Sequence, residues 1–110
     1  MNIYKHTWKD HETVYVNSAD GQVRVHVYGE ALDRWAVISD LIVYPEARGR
    51  RHGSLLLRLA VQQAKIERAN AVILFPDCKP WVVDWYERFG FKRDIFYDQE
   101  DGTPAWSMDL

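Results

Sequence analysis

Asp40-Leu-Ile-Val-Tyr-Pro-Glu-Ala-Arg-Gly-Arg-Arg-His-Gly-Ser-Leu-Leu-Leu57 decides how this chain is read. An apolar run meets Pro45, passes through a turn rich in Arg and Gly, and enters a leucine-rich segment of helical character. The first N–H groups of a helix have no intrahelical partner, and the helix dipole places partial positive charge on them. Gly49 and Gly53 let backbone approach a ligand closely, and Arg48, Arg50 and Arg51 add full charges. Strand, glycine-containing turn and helix start together predict an anion site suited to a pyrophosphate. The turn alone also suits a dinucleotide or a nucleoside triphosphate, though the lack of a Gly-Lys-Ser/Thr argues against a P-loop.

On either side of this stretch, elements follow from residue pattern. Glu12–Asn17 and Gln22–Tyr28 read as a β-hairpin around Ser18–Gly21, with Val23, Val25 and Val27 on one face. Trp35–Tyr44 is nearly continuous apolar sequence, as expected for the middle of a sheet. His52 to about Ala69 reads as a helix with Leu55, Leu56, Leu59, Ala60, Gln63 and Ile66 along one face. Ala71–Phe75 is a short buried strand, and its distance from Trp35–Tyr44 calls for a parallel crossover. Pro80–Phe89 is a second helix, with Pro80 suited to its first turn and Gly90 to its C-cap. Phe91–Tyr97 and Ala105–Leu110 complete the set as strands. The order β-β-β-α-β-α-β-β gives an α/β fold with a mixed sheet.

Composition narrows the function. A chain of 110 residues is expected to form one domain, residues 1–110, and it is long enough to bury a core. It is 47% hydrophobic and 27% charged, as in ordinary soluble proteins. A net charge of −2 argues against a general nucleic-acid binder, and the positive charge is local to Arg48, Arg50, Arg51 and Arg58. One cysteine, Cys78, excludes an internal disulfide framework and fits a reducing, cytoplasmic setting. The polar start is unlike a signal peptide, and no apolar run approaches the ~18 residues of a membrane span. His6, His11, His26 and His52 have no zinc-type spacing, so no metal is expected. Five Trp and six Tyr are too many to lie all in so small a core, and some are expected at a cleft or a dimer face.

Two motifs carry a family resemblance. Arg48-Gly-Arg-Arg-His-Gly53 is similar to the Arg/Gln-x-x-Gly-x-Gly/Ala turn of the GNAT N-acetyltransferase superfamily, and Trp85-Tyr-Glu-Arg-Phe-Gly-Phe91 to its aromatic-Tyr segment ending in Gly-Phe. With both motifs in order on the expected elements, the chain resembles a minimal GNAT member over Arg34–Phe91. The resemblance implies acetyl-CoA as cosubstrate and transfer of its acetyl group to a primary amine, by direct attack in a ternary complex. It assigns the pyrophosphate to the backbone of Arg50–Ser54 (Arg50, Arg51, His52, Gly53, Ser54) with Gly49 and the charge of Arg48. It assigns the pantetheine arm to Leu41, Ile42 and Val43, at a strand bulge, with a contact from the position of Lys79. Tyr86 would be the general acid for the departing thiolate, and would touch the cofactor. Asp40 is the first candidate for a base, with Glu46, His26 and His52 behind it. Cys78 is a chemically possible nucleophile, read here as a small loop residue.

The chain departs from the family pattern in three places. Arg51 stands where the pattern has Gly, tolerable if its φ is that of a right-handed helix. Lys79 stands near where many relatives carry Asn. Only Ser18–Gly21 occupies the place where relatives usually have two helices. The acceptor side is therefore expected to be open, or completed by a second subunit or the substrate. A protein amine then fits, and so does a small cationic amine if Asp77, Asp84, Asp94, Asp98, Glu100 and Asp101 line the site. The rival reading is a non-catalytic module that keeps the fold and binds acyl-CoA or a protein.

Overall fold

A computed structural model describes all residues, 1–110. Seven strands form one sheet: β1 (Asn2–Thr7), β2 (Glu12–Asn17), β3 (Gly21–Glu30), β4 (Asp33–Val43), β5 (Ala71–Leu74), β6 (Lys92–Arg93) and β7 (Trp106–Asp109). Their spatial order is β1-β2-β3-β4-β5-β7-β6. Every neighbouring pair is antiparallel except β4 and β5, which are parallel and joined through helix α1 (His52–Ile66). Helix α2 (Pro80–Phe89) links β5 to β6. The mixed α/β architecture is the one expected from the sequence.

One face of the sheet holds the core. Val14 and Val16 of β2, Val23, Val25 and Val27 of β3, Ala36 and Ile38 of β4, and Val72 and Leu74 of β5 join Leu56, Leu57, Ala60, Val61 and Ala64 of α1 in a single buried cluster. Val83, Trp85, Tyr86 and Phe89 of α2 pack against the same cluster. Both helices therefore lie on one side. The opposite face, carrying His26, Tyr28, Trp35 and Ser39, is covered by neither α1 nor α2.

Several sequence expectations change. The N-terminal segment forms β1, paired with β2 from Asn2↔Asn17 to Thr7↔Glu12. All six of its residues are exposed, so it lacks the apolar alternation that marks a strand. Consequently the first connection in the sheet is the turn 8–11, and Ser18–Gly21 is the second. Phe91–Tyr97 is strand only at Lys92–Arg93. The Asp94 carboxylate accepts the Phe96 N–H at 3.1 Å and turns Ile95–Tyr97 into a 3-10 helix. Finally, α1 is rotated from the expected face: Leu55 and Ile66 are exposed, while Leu57, Ala60 and Ala64 are fully buried. The small Ala side chains let α1 approach β3 closely, which bulkier residues would prevent.

Helix ends follow local chemistry. α1 stops at Ile66, before Ala69, because Arg68 adopts a left-handed φ of 64°. The Ala69 N–H then reaches the Ala64 carbonyl and the Arg68 N–H that of Lys65, both at 3.0 Å, a double closure of the last turn. Pro80 opens α2, and Gly90 closes it at φ 127°. Leu57→Ala, at a fully buried position, should lower unfolding free energy in urea by roughly 2–5 kcal/mol.

Candidate active site

β4 and β5 are paired only over Trp35↔Ala71, Ala36↔Val72 and Val37↔Ile73. Beyond Val37 the two strands part. At the same point β4 carries an extra residue against β3: Arg24 faces Ser39, yet Gln22 faces Ile42. Asp40 sits in this bulge with a left-handed φ of 53°. Such an insertion bends a strand and changes which side chains point to which face. Ala36 and Ile38 point to the helices. Strict alternation would send Asp40 and Ile42 after them, into the core. The bulge instead returns Leu41 and Val43 to the helix side, while Ile42 is exposed.

Three adjoining cavities follow the parted edge. The first, about 390 Å³, is lined at the α1 start by Arg48, Gly49, Arg51, His52, Gly53 and Ser54, with Val43 and Trp85. The second, about 370 Å³, shares Val43, Gly53 and Trp85 with it and adds Leu41, Trp81, Val82, Tyr86 and Arg88. The third, about 300 Å³, shares Leu41, Val82 and Tyr86 and reaches Asp40, Ser39 and Asp77 between β4 and β5. Together they make a groove that is cationic at one end and carries two carboxylates at the other.

The groove gathers most of the residues singled out from sequence. Arg48 lines the cationic end while its Nε donates to the Val43 carbonyl at 3.1 Å, bracing the turn against β4. Arg51 is the residue before α1 and has φ 62°, ψ 19°. The condition of a right-handed φ is not met: the position keeps the left-handed shape that favours Gly, and an Arg holds it at a cost of roughly 1 kcal/mol. No side chain caps the α1 N-terminus, so its first N–H groups are open toward the cavity. His52 Nδ1 lies 3.5 Å from the Asp20 carboxylate. Gly53 stands where the first two cavities meet. A Cβ there would reach Trp85 and Val43 only at ordinary contact distance, 3.7 Å, so packing does not demand the glycine.

Tyr86 is half-buried on α2 and lines the second and third cavities. Its ring meets Trp85 edge-on at 4.9 Å and Phe91 at 6.0 Å. Burial pushes its phenol pKa up, because removing water penalises the phenolate. Asp40 lines the same third cavity. Its Oδ2 accepts from the Ser39 hydroxyl at 3.2 Å and lies 3.6 Å from Arg24.

Other candidates lie elsewhere. Arg50, Ile42, Glu46 and Lys79 line none of these cavities. The Lys79 ammonium turns toward Asp77 at 3.9 Å and the Trp81 ring at 5.7 Å. Cys78 is exposed and outside the groove lining. Of the acidic residues considered for an acceptor site, only Asp77 joins Asp40 in the gap. Asp84 pairs with Arg88, Asp98 with Arg93, and Asp101 holds Thr103. Asp94 accepts the Ser107 hydroxyl. Trp85 and Val82, which join the cavities, read in the sequence only as apolar helix residues. No three His, Cys, Asp or Glu side chains gather as a metal site, and no helix is long and apolar enough to cross a membrane.

Residues 9–93 match the model of the acetyltransferase (GNAT) domain. The chain belongs to the GNAT family. Its fold recurs in solved structures of low sequence identity. A Klebsiella pneumoniae protein described as an acyl-CoA N-acyltransferase superposes with a TM-score of 0.69 at 14% identity, covering 93% of this chain and 74% of the other. A GNAT family acetyltransferase from Elizabethkingia anophelis, with acetyl-CoA bound, gives 0.65 at 14%, covering 99% and 97%. The ribosomal-protein-S18-alanine N-acetyltransferase of Escherichia coli gives 0.63 at 12%, covering 94% and 72%. A search of curated proteins finds no match. This GNAT domain is that of an acyltransferase, and the groove is its candidate active site. Replacing Arg51 by Gly should relieve the left-handed strain and raise unfolding free energy by up to about 1 kcal/mol, the gain being reduced by the greater freedom of Gly in the unfolded chain. Urea titration measures it.

Proposed function

We propose that this enzyme acetylates a primary amine with acetyl-CoA. The observation that carries the reading is the continuous groove from the open α1 N-terminus to the gap beside Asp40 and Tyr86. A pyrophosphate fits its cationic end, where the N–H groups of Arg51–Ser54 and the guanidinium groups of Arg48 and Arg51 would hold it. Beyond Val37, β4 has no partner on its β5 side. Its unpaired backbone at Leu41–Val43 suits an amide-bearing arm, which would pair there as an added strand does. The thioester, when bound, supplies an activated acyl group. Arg51 keeps the Gly-like backbone shape, so this departure does not argue against the fit. Lys79 faces away, so its side chain is given no part.

The residues at the gap have complementary tasks. An alkylamine has a pKa near ~10.4 and arrives as a cation at neutral pH. Asp40 and Asp77 would attract it, and Asp40 would accept its proton directly or through one water. Tyr86, kept protonated by burial, would donate its phenolic proton to the departing thiolate. A backbone N–H of the bulged strand would polarise the thioester carbonyl, the role of an oxyanion donor. Positioning inside the groove supplies the rest of the rate.

Calorimetric titration with acetyl-CoA, with CoA and dephospho-CoA as controls, tests the first half. Micromolar binding is expected, weakened about tenfold in Arg48→Ala, equivalent to ~1.4 kcal/mol. No heat and no thermal shift at millimolar ligand would overturn the cosubstrate assignment. An amine panel comprising a lysine peptide, a free N-terminal peptide and a polyamine tests the second half. Tyr86→Phe should then lower kcat on the order of 100-fold with acetyl-CoA affinity kept. Unchanged turnover would remove Tyr86 from the acid role.

A further inference from the structure

Asp40 is the end of a longer chain of hydrogen bonds that crosses the face of the sheet opposite α1 and α2. Trp8 Nε1 donates to Thr13 Oγ1 at 3.1 Å. Thr13 Oγ1 lies 3.0 Å from His26 Nδ1. His26 Nε2 lies 2.7 Å from Ser39 Oγ, and Ser39 Oγ donates to Asp40 Oδ2 at 3.2 Å. Four strands or turns contribute, and Thr13 is 1% exposed, the one buried polar side chain of the molecule. The residues line up because Thr13 faces His26 and Arg24 faces Ser39 in the strand registers, so β2, β3 and β4 present them side by side.

The carboxylate end of this chain fixes the proton on Nε2. Indole N–H only donates, and a carboxylate only accepts. Ser39 spends its hydroxyl proton on Asp40, so it must accept from His26, and Nε2 carries the hydrogen. Thr13 accepts from Trp8 and has its own proton free for Nδ1, which is bare when the imidazole is neutral. A neutral imidazole in this network is therefore the Nε2–H tautomer. A second proton, on Nδ1, would take the remaining lone pair of Thr13 Oγ1 and leave the Thr13 hydroxyl proton without Nδ1 as its acceptor. His26 is also partly buried, which lowers its pKa, with His11 and Arg24 acting the same way against Asp40.

We propose that His26 and Ser39 are positioning residues for Asp40: neutral His26 aims the Ser39 hydroxyl at Oδ2, leaving Oδ1 for the acceptor amine. Oδ1 accepts no hydrogen bond from the protein, whereas Oδ2 is engaged by Ser39 and faced by Arg24. The arrangement holds a carboxylate in the left-handed bulge, where its backbone alone would leave the side chain free to swing. It rests on the assignment of Asp40 as the proton acceptor made above. Charged and titratable neighbours of His26 are His11 from the first turn, Arg24 on β3 and Asp40 on β4.

Nitrogen-15 NMR of the imidazole in the whole protein reads the tautomer directly, without ligand. A pyrrole-type Nε2 bearing hydrogen and a pyridine-type Nδ1 are expected, with titration below the ordinary histidine value of ~6.5. Ser39→Ala should release this into a mixture of tautomers. In turnover with an acceptor from the amine panel, His26→Gln, whose amide donates in place of Nε2, should stay within about threefold of the parent. His26→Leu should lose about tenfold in kcat with KM for acetyl-CoA unchanged. An Nδ1–H tautomer in the parent, or full kcat in a folded His26→Leu, would overturn the proposal. Loss of acetyl-CoA binding by the parent would instead sink the functional reading and leave the tautomer result standing.

Acid should expose the same group. Because folding lowers the His26 pKa, the unfolded chain binds the extra proton first, and stability rises with pH across that interval. The His26 contribution is therefore complete above about pH 6.5 and is lost as pH falls from there toward the lowered folded value. His26→Gln should flatten that part of the stability curve between pH 7 and pH 5.

Discussion

Everything in the candidate site depends on β4 and β5 ceasing to pair after Val37. A parallel pair that continued would have tied up the backbone of both strands and closed the gap beneath Tyr86. The bulge at Asp40 reinforces the parting. It bends β4 and turns Leu41 and Val43 inward. It also leaves a carboxylate at the mouth of the gap rather than inside the core, where an unpaired charge would be costly. One inserted residue thus sets the apolar wall of the groove and the placement of its acid together.

The anion end is built by the opposite strategy, from regular structure. α1 presents uncapped N–H groups because the residue before it, Arg51, offers no side-chain acceptor. A capping Ser or Asp would satisfy those donors internally and remove them from ligand binding. The Arg48 bond to Val43 ties this end of the groove to the strand that forms its middle, so the turn and the parted edge are held as one body. The contact of His52 with Asp20 adds a tie to the neighbouring hairpin turn.

Most of this was legible in the sequence where local chemistry decides structure. Pro80 and Gly90 bracket α2, Gly49 and Gly53 mark the turn, and the valines of β3 declare its buried face. What was not legible depends on partners. β1 has no apolar face of its own and exists by pairing with β2. Leu55, Leu56 and Leu57 are consecutive, so spacing alone supports two rotations of α1, and the close approach to β3 chooses the one that buries Ala60 and Ala64. Ile95-Phe-Tyr97 resembles a strand until Asp94 turns to cap it. The bulge cannot be read from Ser39-Asp40-Leu41, since it is a mismatch in count between two strands. The relay through His26 was invisible for the same reason, as its members lie up to 32 residues apart and meet only through strand register.

The one-sided placement of both helices divides labour between the faces of the sheet. The valine, leucine and alanine cluster that sustains the fold looks one way, and the stacked rings of His11, Tyr28 and Trp35 look the other. The ringed face also carries the buried Thr13 and the hydrogen bonds that run from it through His26 to Asp40. Such a sheet resembles a printed card: its stiffness resides in the backing, and the front carries what is to be read.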